Sequence, residues 1–163
     1  MANPRVTENI KIENAHILFR NFSGRESKYN RAGQRNFCVY IDDPDLAQRL
    51  IDDGWNIRVR EPREEGEAPR HYLQVAVSFD NIPPTVYMLT KRKKVKLDEE
   101  SIDTLDFAEI RNIDLTIRPY NRIIQEGTKN EKSGVKAYLR TMYVIIDEDE
   151  FAEKYASDEY PQE

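Results

Sequence analysis

The chain is poor in the residues that build metal sites, disulfides and phosphate loops. Among 163 residues there are one cysteine (Cys38), two histidines (His16 and His71) and six glycines. A single thiol forbids an intramolecular disulfide and points to a reducing compartment. With two imidazoles it cannot close a structural zinc site, so no metal and no cofactor is expected. No glycine loop of the phosphate-cradling kind is present, and no Ser/His/Asp arrangement. Runs of even ten consecutive apolar residues are absent, and the opening MANPRVTENI lacks the apolar stretch of a signal peptide. These absences set the expectation of a cytoplasmic protein with no membrane partner.

Charge is what the chain has in plenty: 34% of residues are charged and the net charge is −5. The sign alternates along the chain. Residues 1–40 carry seven basic and three acidic side chains, and 117–146 carry six and two, whereas 147–163 carry one and eight. An acidic total is therefore compatible with a polyanionic ligand, because binding depends on where the cations gather.

Apolar residues recur mostly two apart, the period of strands. ENIKIENAHILFR reads as a strand with a bulge near Glu13-Asn14, with Ala15, Ile17 and Phe19 on one face. Residues 21–34 read as a basic hairpin tip, followed by strand RNFCVYID with Phe37, Val39 and Ile41 inward. Asp43 and Pro44 open a helix that Gly54 ends. WNIRVR, HYLQVAVSF, TVYMLT, NIDLTIRPYN and KAYLRTMYVII are further strands, and DEESIDTLDFAEI is a short helix or connector. The expected fold is mainly β, an OB-fold-like five-stranded Greek-key barrel with long hairpin tips and one helix between early strands. A generic α+β sandwich is the alternative. The domain spans 1–146, and 147–163 is an acidic C-terminal segment, partly helical and then disordered.

The closing hairpin carries the chemistry. Ile113, Leu115 and Ile117 share one face, which turns Arg118 and Tyr120 outward, and on the partner strand Lys136, Tyr138 and Arg140 point the same way. Cations for phosphates and flat rings for bases suit single-stranded nucleic acid, although facing tyrosines also stabilise a sheet by pairing with each other. The first hairpin adds Arg25, Lys28, Tyr29 and Arg31. A metal-dependent nuclease would need carboxylates such as Asp42, Asp43, Asp80 and Asp114 around magnesium, but their spacing matches no such site. Cys38 reads as a small strand residue, not a nucleophile.

The phrases RNFCVYIDD, PDLAQRLIDDGWN, SGVKAYLRTMYV and DEDEFAEKY, in that order, resemble the OB-fold single-stranded DNA-binding proteins of tailed bacteriophages and prophages. The resemblance runs over about residues 8–156. It implies a non-enzymatic protein that coats single strands during phage DNA replication and recombination. It also implies an acidic C-terminus that recruits replication or recombination proteins, for which Phe151 and Tyr155 are the candidate anchors. A protein-interaction module or inhibitor using acidic surfaces is the second reading. The oligomeric state is left open by the sequence.

Overall fold

A computed structural model describes residues 5–147 apart from 29 and 81. In it, nine strands form one mixed sheet, curled with a single α-helix at its side. The strands are β1 (Ile10–Ile12), β2 (Ile17–Asn21), β3 (Arg35–Tyr40), β4 (Ile57–Arg60), β5 (Arg70–Val77), β6 (Thr85–Leu89), β7 (Lys94–Leu97), β8 (Ile110–Ile124) and β9 (Lys132–Ile146). The helix, α1, is Pro44–Asp53, and a short 3-10 helix covers Ile102–Asp106. The expected OB-like, mainly-β architecture is present, with more strands than five. The path runs β1-β8-β9-β5-β3-β2, with β4 beside β5 and the β6–β7 hairpin beside β9.

Local signals explain the boundaries. The Asp43 side chain accepts the N–H groups of Asp45 and Leu46 at 3.0 and 3.4 Å, satisfying donors that the first helical turn cannot. Gly54 ends the helix at φ 97°, a left-handed conformation open to glycine. Alternation then decides what is buried: Phe37, Val39, Leu73, Val75, Ile113, Ile117, Leu139 and Met142 fill the core with Phe22, which stacks on Phe37 at 5.2 Å. Truncating either phenylalanine to alanine should cost about 3–5 kcal/mol.

Three expectations change. The N-terminal segment is two strands, not one bulged strand: β1 pairs with β8 and β2 with β3, and the chain switches partners at Asn14, whose φ is 50°. Phe19 does not face inward. The β2–β3 register slips between Leu18 and Asn21, Phe19 takes φ 52°, and its ring is 59% exposed. Val59, which the alternation of WNIRVR groups with Trp55 and Ile57, is also exposed, on the short β4 that pairs only with β5 among the described residues. A bulky residue in the left-handed region is an outlier that surrounding structure must enforce.

The long hairpin β8–β9 positions everything that follows. Its register is unbroken from Ile117–Leu139 to the tip at Ile124–Lys132, and it slips twice, between Thr116 and Ile117 and again between Ile110 and Asn112 at the far end. Thr116 pairs with Thr141 and Ile117 with Leu139, which makes Arg140 the extra residue of a β-bulge. On the far edge of β9, β5 runs beside its first half and β6 beside its second, both parallel.

Candidate nucleic-acid interface

Strand parity brings four of the expected residues together. Arg118 pairs with Tyr138 and Tyr120 with Lys136, all on the outward face. The Tyr120 and Tyr138 rings meet edge to face, with centroids 5.9 Å apart. The Arg118 guanidinium lies 4.6 Å from the Tyr138 centroid and the Lys136 ammonium 5.1 Å, so one ring is flanked by two cations. Tyr120 is 53% exposed. The Arg118 Nε has no hydrogen-bond partner among the described residues. Arg140, on the bulge, is exposed next to this cluster.

Beside Tyr138 the surface falls into an open groove of about 540 Å³ between β3, β4, β5 and β9. Asn36, Gln74, Ala76, Arg58, Lys136 and Tyr138 line it, together with the carboxylates of Asp80 and Glu99. Small and amide side chains occupy the outward positions of β3 and β5 that line it, where Asn36 pairs with Ala76. Cys38 sits in β3 between Leu18 and Gln74. Burial pushes its thiol up to about 11, against a smaller opposing pull from Arg58.

A second aromatic cluster lies further along the same face. Tyr40 pairs with Tyr72, which pairs on its other side with Arg58. The outward-turned Phe19 meets Tyr72 edge to face at 6.2 Å, and the Arg60 guanidinium lies 5.7 Å from the Phe19 ring. Arg60 also donates a hydrogen bond to the Tyr40 hydroxyl. Arg70 stacks on Tyr40 at 3.4 Å, but its fork is engaged by Asp42 at 2.9 and 3.1 Å. Strand parity over β4 and β5 marks Arg58 and Tyr72 as outward. Their meeting with Tyr40 and Phe19 depends on pairings between distant segments, which no local pattern reveals.

The first hairpin contributes less directly than expected. Arg20 points away from the groove, with Nη1 donating to the carbonyls of Leu105 and Ala108 at 3.0 and 2.8 Å. Arg35 is held by Glu99 and lies 5.7 Å from the Phe79 ring. The loop is organised by Asn30, whose amide donates to the carbonyls of Arg25, Arg31 and Gln34. Gly24 and Gly33 cross so closely that a Cβ on Gly24, at φ 73°, would sit 3.0 Å from the Gly33 carbonyl carbon. Asn30, Gly33 and Gln34 border the groove, while Arg25, Lys28 and Arg31 are exposed on the loop without lining it. Tyr29, Phe151 and Tyr155 lie outside the described residues.

The arrangement offers rings for bases and cations for phosphates along one open face. Residues 2–162 match the family model described as "Putative phage ssDNA-binding domain". In fold, the chain is similar to the single-stranded DNA-binding protein of bacteriophage Enc34 in complex with ssDNA. That match has a TM-score of 0.55 at 11% identity, covering 86% of this chain and 88% of that one. A second structure of the Enc34 protein matches with a TM-score of 0.52 at 13% identity, covering 98% of each chain. The Enc34 protein with a C-terminal truncation gives 0.53 at 12% identity, over 86% of this chain and 87% of that one. No curated protein matches the sequence.

Proposed function

The chain belongs to the phage single-stranded-DNA-binding domain family, and on that premise we propose that it coats single strands during phage DNA replication and recombination by stacking bases on outward tyrosines. Tyr138 and Tyr120 receive bases. Arg118, Lys136 and Arg140 neutralise phosphates, and Arg58 does so along the groove. Arg25, Lys28 and Arg31 add charge from the neighbouring loop. The observation that carries this reading is the Tyr138 ring, flanked by two cations and lining an open groove with Ala76, Gln74 and Asn36. Stacking is worth about 1–3 kcal/mol per base and tolerates any sequence, because every base has a π-face.

Binding without catalysis is favoured by how the carboxylates are used. Asp43 caps α1, Asp42 grips Arg70, and Asp114 accepts from the Asn14 N–H and the Asn112 amide. Those are three of the four carboxylates that a nuclease reading would assign to magnesium; the fourth, Asp80, is exposed at the groove. Among the described residues no helix is long and apolar enough to cross a membrane.

The test is a titration of fluorescently labelled oligo(dT), read by anisotropy, against the protein and its Tyr138→Ala variant. Trp55 is buried and does not line the groove, so an extrinsic label is the better reporter. Mixed-sequence single strands should compete as well as oligo(dT), and duplex poorly, since duplex bases are already stacked. Equal competition by duplex would refute the stacking mechanism.

A further inference from the structure

The outward face does not end at Arg140. Asp114, Thr116 and Arg118 alternate without interruption on β8, opposite Tyr143, Thr141 and Tyr138. The bulge at Arg140 absorbs one residue, so Tyr143 emerges on the same side of the sheet as Tyr138. Beyond the bulge β9 pairs with β6, which sets Tyr87 beside Tyr143. The two rings stack with centroids 5.6 Å apart and planes 17° from parallel. From β7, the Lys94 ammonium lies 4.4 Å from the Tyr87 centroid and 5.9 Å from that of Tyr143, and Lys96 pairs with Tyr87. Tyr143 is 41% exposed and Ile145 42%. Five residues of strand separate Tyr138 from Tyr143, roughly 16 Å at about 3.3 Å per residue.

We propose that Tyr87 and Tyr143 form a second stacking platform for the same DNA strand, reached by crossing the Arg140 bulge. Lys94 and Lys96 take the phosphates there. This rests on the reading of the Tyr138 groove as the first platform. Continuity and charge carry the assignment: the two ring clusters share one strand and one face, and exposed arginine and lysines stand at the crossing and beyond it. Asp114 is the one carboxylate beside Tyr143 on β8, and its Oδ1 is already committed to the Asn14 N–H at 2.9 Å and the Asn112 amide at 3.2 Å.

Oligonucleotide length separates the two platforms. The platforms lie roughly 16 Å apart, about five nucleotides at about 3.4 Å each, so an oligo(dT) of about two nucleotides fills one platform and one of about twenty runs through both. Tyr143→Ala and Tyr87→Ala should weaken the long oligonucleotide by roughly 5- to 150-fold, the equivalent of one lost stack, and leave the short one unchanged. Tyr138→Ala should weaken both. Tyr143→Phe, which keeps the ring, should bind as the parent protein does. The surface double variant Lys94→Ala/Lys96→Ala, which spares the fold, should make the log–log salt slope shallower by about 1.4 for the long oligonucleotide alone, at about 0.7 per phosphate. Unchanged long-oligonucleotide binding in Tyr143→Ala and in the lysine variant, with Tyr138→Ala weakening both lengths, overturns the second platform and leaves the first standing. If Tyr138→Ala weakens neither length, the groove reading falls and this one with it.

Discussion

Ala76 pairs with Tyr138 across the parallel contact of β5 and β9. A methyl group beside the ring leaves that flank of Tyr138 open to the groove. Filling the space with Ala76→Leu should obstruct the stacking surface and cost about as much as losing one stack, about 1–3 kcal/mol of binding. Ala76 is only half-buried on the outward face, so the melting temperature should move little. Anisotropy titrations with a thermal melt check both halves. A large loss of stability with unchanged affinity would count against the groove.

The edge-to-face pair predicts a coupling. Tyr120→Ala and Tyr138→Ala should each weaken binding by about 1–3 kcal/mol while leaving the salt slope nearly unchanged, because a ring displaces no counterion. The rings touch, so the double variant should lose less than the sum of the two. A double-mutant cycle on oligo(dT) affinity measures it. Preserved affinity with a lowered melting temperature would show that the pair serves only the sheet.

Arginines of similar sequence context should behave differently. Arg118→Ala and Arg140→Ala should each make the log–log salt slope shallower by about 0.7. Arg20→Ala should leave the slope alone and destabilise the fold by about 1–3 kcal/mol, since it strands the carbonyls of Leu105 and Ala108. Salt titrations beside denaturant melts distinguish the two classes.

That contrast marks how far the sequence could be read. Parity on NIDLTIRPYN and KAYLRTMYVII identified Arg118, Tyr120, Lys136 and Tyr138 as neighbours, because a two-residue period and one hairpin suffice to align them. The helix was legible from Asp43, Pro44 and Gly54 because caps are local chemistry. Phe19 departs from the simple alternation because a register slip reverses parity without leaving a mark in composition. Arg20 looked like its basic neighbours, yet its partners lie 85 and 88 residues away. Tyr87 and Tyr143 meet through parallel pairing of β6 with β9, a long-range choice that alternation within either strand does not encode.

Cys38 should be a quiet thiol. Its pKa is pushed up to about 11 from 9.0 by burial, so at neutral pH it stays protonated. Native protein should react with a thiol reagent far more slowly than denatured protein. The sign for stability follows from linkage: the unfolded thiol ionises first, so this contribution is intact below pH 9 and is lost as pH rises towards about 11. Denaturant melts of Cys38→Ser and the parent protein, compared at pH 8 and above 10, should show the parent losing more. Rapid labelling of the native thiol would contradict the burial.

The acidic C-terminus lends itself to the most direct electrostatic test. Asp147 belongs with the sheet: its N–H donates to the Glu109 carbonyl at 2.8 Å and its carboxylate pairs with Arg111 at 3.3 Å. Residues 148–163, which include Phe151 and Tyr155, lie outside the described residues and hold seven acids and one lysine. Ending the chain at Asp147 therefore moves the net charge from −5 to +1. Removing that much negative charge should tighten single-strand binding at low salt, where the Debye length reaches about 30 Å. The gain should fade towards 1 M salt, where screening shortens to about 3 Å. If the segment also recruits replication or recombination proteins, the truncated chain should lose them, and Phe151→Ala with Tyr155→Ala in the full chain should reproduce that loss with DNA affinity unchanged. If instead the segment packs on the sheet, truncation should lower the melting temperature and leave low-salt affinity no better. Melting temperature and oligo(dT) affinity, measured on the 1–147 chain across salt, decide between the two.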